Sequence, residues 1–325
     1  MNILDVKNLS LGFNTEAGFK QALFDVSFFV EKGKTLAIVG ESGCGKTISA
    51  LSILKLLPKT AKITSGEILF RKEETGNEQQ IINLLNLSEK EMQKIRGAKI
   101  ALIPQDPMTS LNPLYTIENQ LLEVIEKHQN LKGNQAKQKA IEALDAVQIP
   151  CAKERLKSYP HEFSGGMKQR AIIAMALACK AEIIIADEPT TALDVTIQAQ
   201  IMKLLDEIKK EFNTSIILIT HDLALVEEVS DKICVMYAGR IVEQASTIDF
   251  FKSPRHPYSK ALLKSVPSKR GEKLAIIKGQ PPSIQQDISG CKFHPRCEFA
   301  MPTCSEFIPP LKEVSKEHFC ACLLE

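Results

Sequence analysis

Net charge is nearly missing from this sequence: 41 Lys and Arg stand against 39 Asp and Glu, a formal net charge of +2. Such a balance supplies no global field to hold nucleic acid or an anionic membrane surface. Also missing is any apolar run near the roughly 18 residues that a membrane-crossing helix needs. The opening Met1-Asn2-Ile3-Leu4-Asp5 has neither the basic nor the apolar region of a secretory signal. The chain is therefore expected in the cytosol. Internal repeats and low-complexity tracts are absent too. What remains, 325 residues with 44% hydrophobic and 25% charged side chains, is a globular composition that can bury a large core. The length suits two domains, or one large domain with an appendage.

Apolar runs at Ile3–Leu11, Leu23–Val30 and Thr35–Val39 read as strands, and the last runs into a glycine-rich stretch. Apolar residues Ile48, Leu51, Ile53, Leu54 and Leu57 then fit a helix over 47–57, stopped by Pro58. Residues 88–158 read as mostly helical, over 88–96, 116–128, 135–147 and 152–157. Beyond them, helices over 166–178, 196–210 and 223–229 alternate with strands over 183–186, 215–220 and 232–236. That alternation implies a mainly parallel sheet covered on both faces. Near Ser253 the composition shifts to Pro, Lys and Cys, with Pro254, Pro257, Pro267, Pro281, Pro282 and Pro295, which places a boundary there.

Gly40-Glu41-Ser42-Gly43-Cys44-Gly45-Lys46-Thr47 satisfies G-x-x-x-x-G-K-[ST], the phosphate loop, between a strand and a helix as that motif requires. Its glycines let backbone N–H groups converge on phosphate oxygens at a helix N-terminus. Lys46 is expected to neutralise the β- and γ-phosphates of ATP and Thr47 to offer its hydroxyl to Mg²⁺. Ile183-Ile184-Ile185-Ala186 ends in Asp187-Glu188. A strand ending in solvated acids would look the same, but with a phosphate loop upstream Asp187 is expected to hold Mg²⁺ and Glu188 to polarise the attacking water. Cys44 lies beside a helix N-terminus, which is expected to lower its pKa and expose the loop to oxidative inhibition.

Phe163-Ser164-Gly165-Gly166-Met167-Lys168-Gln169-Arg170 resembles the signature of ABC-type ATPases, and it precedes Asp187 where that family keeps it. Ser164 can cap a helix while the glycines bare N–H groups toward an anion. The resemblance implies an α/β P-loop NTPase of ABC type, with a mainly parallel core, an antiparallel β subdomain and a helical subdomain at about 88–163, filling residues 1–252. It also implies two ATPs sandwiched in a head-to-tail dimer, where Ser164, Gly165, Gly166, Met167 and Gln169 complete the ATP site of the other subunit. By the same resemblance Gln105 is the Q-loop glutamine that contacts Mg²⁺ and water, Asp194 in Thr191-Ala192-Leu193-Asp194 belongs to the D-loop, and His221 is the switch histidine at the γ-phosphate. Phe13 is favoured over Phe19 as the aromatic that stacks on adenine. Phe163 and Thr191 stand where the family more often has Leu and Ser, and neither change removes a catalytic group.

Ser253-Pro254-Arg255-His256-Pro257-Tyr258 and Gly279-Gln280-Pro281-Pro282, followed by a cysteine block, resemble the C-terminal extension of ATP-binding subunits of bacterial peptide importers. That group imports dipeptides, oligopeptides and, in some branches, nickel or other small solutes, so the substrate is left open. Four of the nine cysteines are scattered, while Cys291, Cys297, Cys304, Cys320 and Cys322 crowd the end. In a reducing compartment, such a block favours a metal over disulfides. The spacing Cys291-x₅-Cys297-x₆-Cys304-x₁₇-Cys322 suits Zn²⁺ or an iron–sulfur cluster and selects neither. The resemblance points to [4Fe–4S] on those four, with Cys320 spare. The expected partners are a second ATPase subunit, two transmembrane permeases and an extracytoplasmic substrate-binding protein, with no nucleic acid. The expected place is the cytoplasmic face of the membrane. Two other readings compete: an ABC ATPase working on ribosomes or DNA, against which stands the lack of sustained heptads between Lys46 and Ser164, and a redox-regulated ATPase centred on the cysteines.

Overall fold

The computed structural model describes residues 1–73, 79–191, 193–265 and 277–325. Pro267 and Ala192, named above, lie outside them. The chain divides into two units, one of residues 1–31, 35–86 and 219–325, the other of residues 32–34 and 87–218.

In the first unit, strands Asn2–Thr15 and Gly18–Glu31 form a hairpin, and with Ala61–Glu73 and Gln79–Asn83 they make a four-stranded antiparallel sheet. A second group of strands is built on Thr35–Val39, which is buried along its whole length and runs parallel to Lys232–Tyr237. Both faces of such a strand are covered, so after Thr35 its residues are continuously apolar rather than alternating. Lys232–Tyr237 turns back into Arg240–Ser246 through Ala238 and Gly239, whose φ values of 44° and 78° are those of a primed hairpin turn. Gly239 has a second reason to be glycine: a Cβ there would stand 2.0 Å from the Ala22 carbonyl oxygen. Arg240–Ser246 pairs on its other side with His318–Cys320, and that with Lys312–Ser315. The C-terminal residues thus extend the sheet.

In the second unit, Ile100–Ile103 and Ile183–Asp187 pair in parallel, and residues 215–218 of the strand Ser215–Thr220 flank the latter. Around them stand helices Glu89–Ile95, Ile117–Gln129, Gly133–Ala146, Gly165–Ala178 and Val195–Phe212. Four start at side-chain caps: Ser88, in a capping box with Glu91, Thr116, Ser164 and Asp194 each accept a backbone N–H of the first turn. The strand Ile100–Ile103 interrupts the stretch expected to be mostly helical. Four apolar residues are too few to display a period, which is why the sequence pattern does not reveal it. The helix expected to reach Leu57 ends at Ile53 because Lys55 turns left-handed, with φ 51°.

Candidate functional site

The phosphate loop of the first unit folds around its own lysine. Lys46 Nζ donates to the carbonyl oxygens of Gly40 at 2.8 Å and Glu41 at 3.0 Å, and Lys46 is 5% exposed. Gly40 must be glycine: its φ is 152°, and a Cβ would meet the Met236 carbonyl oxygen at 2.2 Å. Gly45, at φ 109°, starts the helix Lys46–Ile53 with no side-chain cap and no acid in the first turn. A helix start left in that form suits an anion. Ser42, Gly43 and Thr47 lie on the exposed side of the loop.

Cys44 differs from expectation. It is 4% exposed, and burial pushes its thiol above the ordinary value despite the Lys46 ammonium, which pulls it down. Removing the thiolate from water outweighs the helix terminus, so the loop does not carry an activated thiolate. His221 is exposed after the strand Ser215–Thr220, and the adjacent Asp222 caps the helix Leu223–Val229 by accepting from Ala224 and Leu225 N–H. Phe13 is half-buried opposite Lys20, whereas Phe19 is 44% exposed and lies over Gly12.

In the second unit the buried strand Ile183–Asp187 delivers two carboxylates. Asp187 is 4% exposed, and Glu188 follows at φ 44°, left-handed for a residue with a Cβ. Gln105 Nε2 donates to Glu188 Oε2 at 3.0 Å, and the Thr191 hydroxyl donates to the same oxygen at 2.9 Å. Thr191 stands where Ser is commoner, and its hydroxyl supplies a bond that a serine hydroxyl could equally donate.

Ser164 is exposed and accepts from Met167 N–H at 3.3 Å, which starts the helix Gly165–Ala178. A Cβ on Gly166 would come within 3.0 Å of Ile197 Cγ2, so this glycine allows close packing against the helix Val195–Phe212. Asp194 caps that helix through Ile197 N–H at 3.0 Å. Gln169, placed with the signature, is fully buried at 0% exposure, turned inward while Gly165, Gly166 and Met167 stay partly exposed.

Cys291, Cys297, Cys304 and Cys322 line one pocket, walled by Phe293, Phe299 and Leu324, whereas Cys320 is buried outside it. Each of the four sulfurs takes a backbone N–H: from Phe293, Phe299 and Leu324 for Cys291, Cys297 and Cys322, and from Met301 at 3.4 Å for Cys304. Burial, reinforced by the neighbouring thiols, pushes Cys291, Cys297 and Cys322 above their ordinary values. Among the described residues, no group of three or more His, Cys, Asp or Glu side chains stands ready as a metal-ligand set. Two residues that the motifs did not flag reach the phosphate loop from the C-terminal segment: Tyr258, quoted there only as part of His-Pro-Tyr, and Arg296. Both bond to Glu41.

The ABC transporter family model matches residues 23–191, and the model for the oligopeptide/dipeptide transporter C-terminal region matches residues 242–304. A probable peptide ABC transporter ATP-binding protein of Sinorhizobium fredii is 49% identical over 98% of this chain and 94% of its own length. The dipeptide transport ATP-binding protein DppD of Bacillus subtilis is 48% identical over 99% and 95%. The oligopeptide transport ATP-binding protein OppD of Escherichia coli is 48% identical over 98% and 92%. Among solved structures, a dimeric post-hydrolysis ATP-binding cassette bound to ADP and phosphate superposes with a TM-score of 0.64 at 28% identity, over 75% of this chain and 98% of that one.

Proposed function

The chain belongs to the ABC transporter family, and from that membership we propose the ATP-hydrolysing subunit of an importer of dipeptides or oligopeptides. One observation supports the chemistry most: Glu188, at the end of a buried strand, is held on one oxygen by Gln105 and Thr191. A carboxylate fixed in this way can accept a proton from water as that water attacks the γ-phosphate.

The remaining roles follow residue by residue. Lys46 and the loop N–H groups bind phosphates, Thr47, Asp187 and Gln105 serve Mg²⁺, Phe13 stacks on adenine, and His221 contacts the γ-phosphate. Ser164, Gly165, Gly166 and Met167 serve the ATP of a second ATPase subunit with Asp194 at the dimer contact, whereas the Gln169 side chain is buried away from that surface. Residues 1–252 form the nucleotide-binding domain, with its helical part at about 88–163, and residues 253–325 an appendage specific to peptide importers. Two permeases would hold the subunit at the cytoplasmic face of the membrane, and a substrate-binding protein would deliver peptide to them. No helix among the described residues is long and apolar enough to cross a membrane.

The four pocket cysteines are the candidate site of a [4Fe–4S] cluster or Zn²⁺. The four thiols line one apolar pocket and each is met by a backbone N–H, a hydrogen bond that would offset thiolate charge. Among the described residues they are not gathered as a ready ligand set and would have to close on either centre. A bound centre would supply a cross-link among the loops that carry the four residues, with Cys320 outside it.

A gentle-detergent pull-down of the chain from native membranes, with mass-spectrometric identification of partners, tests the assignment. Two multi-spanning permeases should co-purify, and peptide should stimulate ATP hydrolysis by the complex. Recovery of ribosomal or DNA-associated proteins in place of permeases would overturn the importer.

A further inference from the structure

Glu41, the second residue of the phosphate loop, is held at its N–H, its carbonyl and its side chain. Its backbone N–H donates to the Tyr258 hydroxyl oxygen at 2.9 Å. Its carbonyl oxygen accepts from Lys46 Nζ at 3.0 Å. Its carboxylate takes both arms of the Arg296 guanidinium, Nη1 to Oε2 at 2.6 Å and Nη2 to Oε1 at 2.9 Å.

The partners are themselves fixed. Tyr258 is fully buried, and the Arg296 side chain is only 6% exposed. Arg296 also donates to the carbonyl oxygens of Lys278 and Gly279 and, at 3.3 Å, to the Tyr237 hydroxyl. The Tyr237 ring packs 4.6 Å from that of Tyr258 and 5.2 Å from that of Phe293. A bidentate pair is directional, and with the guanidinium shielded and the Glu41 side chain 23% exposed it loses less to solvent screening than a fully exposed ion pair.

Glu41 immediately follows Gly40, whose φ of 152° begins the bend of the loop. Pinning Glu41 therefore sets the path along which the next N–H groups converge. Where those groups are already arranged, a phosphate does not have to order them on binding.

We infer that Arg296 and Tyr258 are positioning residues for nucleotide: acting through Glu41, the C-terminal segment presets the phosphate loop for Mg-ATP. The inference rests on the reading of that loop as an ATP site, and it goes further by giving the peptide-importer appendage a part in ATP affinity. It also links the cysteine pocket to the nucleotide. Arg296 belongs to the turn His294–Arg296 between Cys291 and Cys297, where His294 N–H donates to Cys291 O, Arg296 N–H to Phe293 O and Cys297 N–H to His294 O. By reciprocity, a nucleotide that prefers the clamped loop tightens this turn, and whatever loosens the turn weakens nucleotide binding by the same factor.

The test is titration of the purified full-length chain with Mg-ATP for Arg296→Gln, Arg296→Lys, Tyr258→Phe, Glu41→Gln and the double variant Glu41→Gln/Arg296→Gln. Arg296→Gln should weaken binding about tenfold, as expected for loss of a bidentate charged pair. Lys should restore part of that, and Phe at 258 should give a smaller loss. The double variant should bind no worse than Arg296→Gln alone, because the two side chains act as one pair. In steady-state assays the loss should fall on KM for ATP rather than on kcat. Hydrogen exchange of the amides of 291–297 should slow when Mg-ATP is added to the wild type, and stay unchanged in Arg296→Gln.

Wild-type affinity in the single variants, fully additive losses in the double variant, or exchange at 291–297 indifferent to ATP would each overturn the clamp. A wild-type chain that binds no ATP would instead overturn the ATPase reading itself.

Discussion

At the scale of single residues, the site turns on Glu188. A left-handed backbone at a residue with a Cβ costs about 1–3 kcal/mol and persists where neighbours over-determine it. Here the bonds from Gln105 and Thr191, with the Thr191 N–H donating to the Glu188 carbonyl oxygen at 3.1 Å, do so. Glu188→Gln keeps the size and the hydrogen-bonding capacity but removes the basic carboxylate. It should lower kcat by about 10²–10⁴, the range for loss of a general base. Mg-ATP affinity should stay close to wild type, so that titration and steady-state turnover part company; turnover within a few-fold of wild type would take the base role from Glu188. Residues like this one are legible because their chemistry follows from local spacing: a glycine loop after a strand, two acids ending another. Glu41, Tyr258 and Arg296 are not, because their bonds join positions far apart in the chain and no local pattern marks them. Cys44 shows the opposite error. Its nearness to a helix start is visible in sequence, but its burial, which sets its pKa, is not.

At the scale of elements, the helix Pro257–Lys264 depends on a titratable cap. His256 Nδ1 accepts the Tyr258 N–H at 3.0 Å, which only an unprotonated nitrogen can do, and burial, with Lys260 nearby, pushes the imidazole down to about 3. The unfolded chain takes up this proton below about pH 6.5 while the folded chain refuses it down to about pH 3. The stabilisation is therefore complete above about 6.5 and is lost as pH falls through the window below it, by up to about 1.4 kcal/mol per pH unit. Asn at 256 can still cap but does not titrate. Urea midpoints at pH 7.5 and 5.5 should fall further for the wild type than for His256→Asn; equal falls would show that His256 does not supply the slope. Many elements were legible without the structure. Thr35–Val39, Ser215–Thr220 and Leu223–Val229 lie at the bounds their apolar runs suggest. The strands that no apolar pattern marks break it for physical reasons. Ala61–Glu73 contains Gly66 at φ 109°, where a Cβ would stand 2.6 Å from Leu9 Cα, and Arg240–Ser246 hides a carboxylate among its buried residues.

At the scale of the whole molecule, that hidden carboxylate explains how the C-terminal segment joins the first unit. The matches at 23–191 and 242–304 invite a picture of a cassette with a loose tail, and the composition shift near Ser253 encourages it. Yet Arg240–Ser246 pairs with Lys232–Tyr237 on one side and with His318–Cys320 on the other. Within it Glu243, at 0% exposure, accepts from the N–H groups of Arg255 and His256 at 2.8 Å each and bonds His318 Nε2 at 2.8 Å. One carboxylate thus ties together the sheet, the turn into the Tyr258 helix and the last strand. In Glu243→Ala, two N–H groups and an imidazole lose their acceptor in a site that water does not reach. Breaking a buried charged network of this kind costs about 3–5 kcal/mol. The damage should be local, because Glu243, Arg255, His256 and His318 all belong to the first unit. Limited proteolysis of Glu243→Ala should therefore release fragments cut after about residue 250 under conditions that leave the wild type whole. Mg-ATP affinity should fall alongside, since Tyr258 and Arg296 lose their footing. Glu243→Gln, whose amide oxygen still accepts, should lie between. If Glu243→Ala resisted protease like the wild type, strand pairing alone would hold the segment; if it were cut but bound ATP normally, the phosphate loop would keep its shape without the appendage.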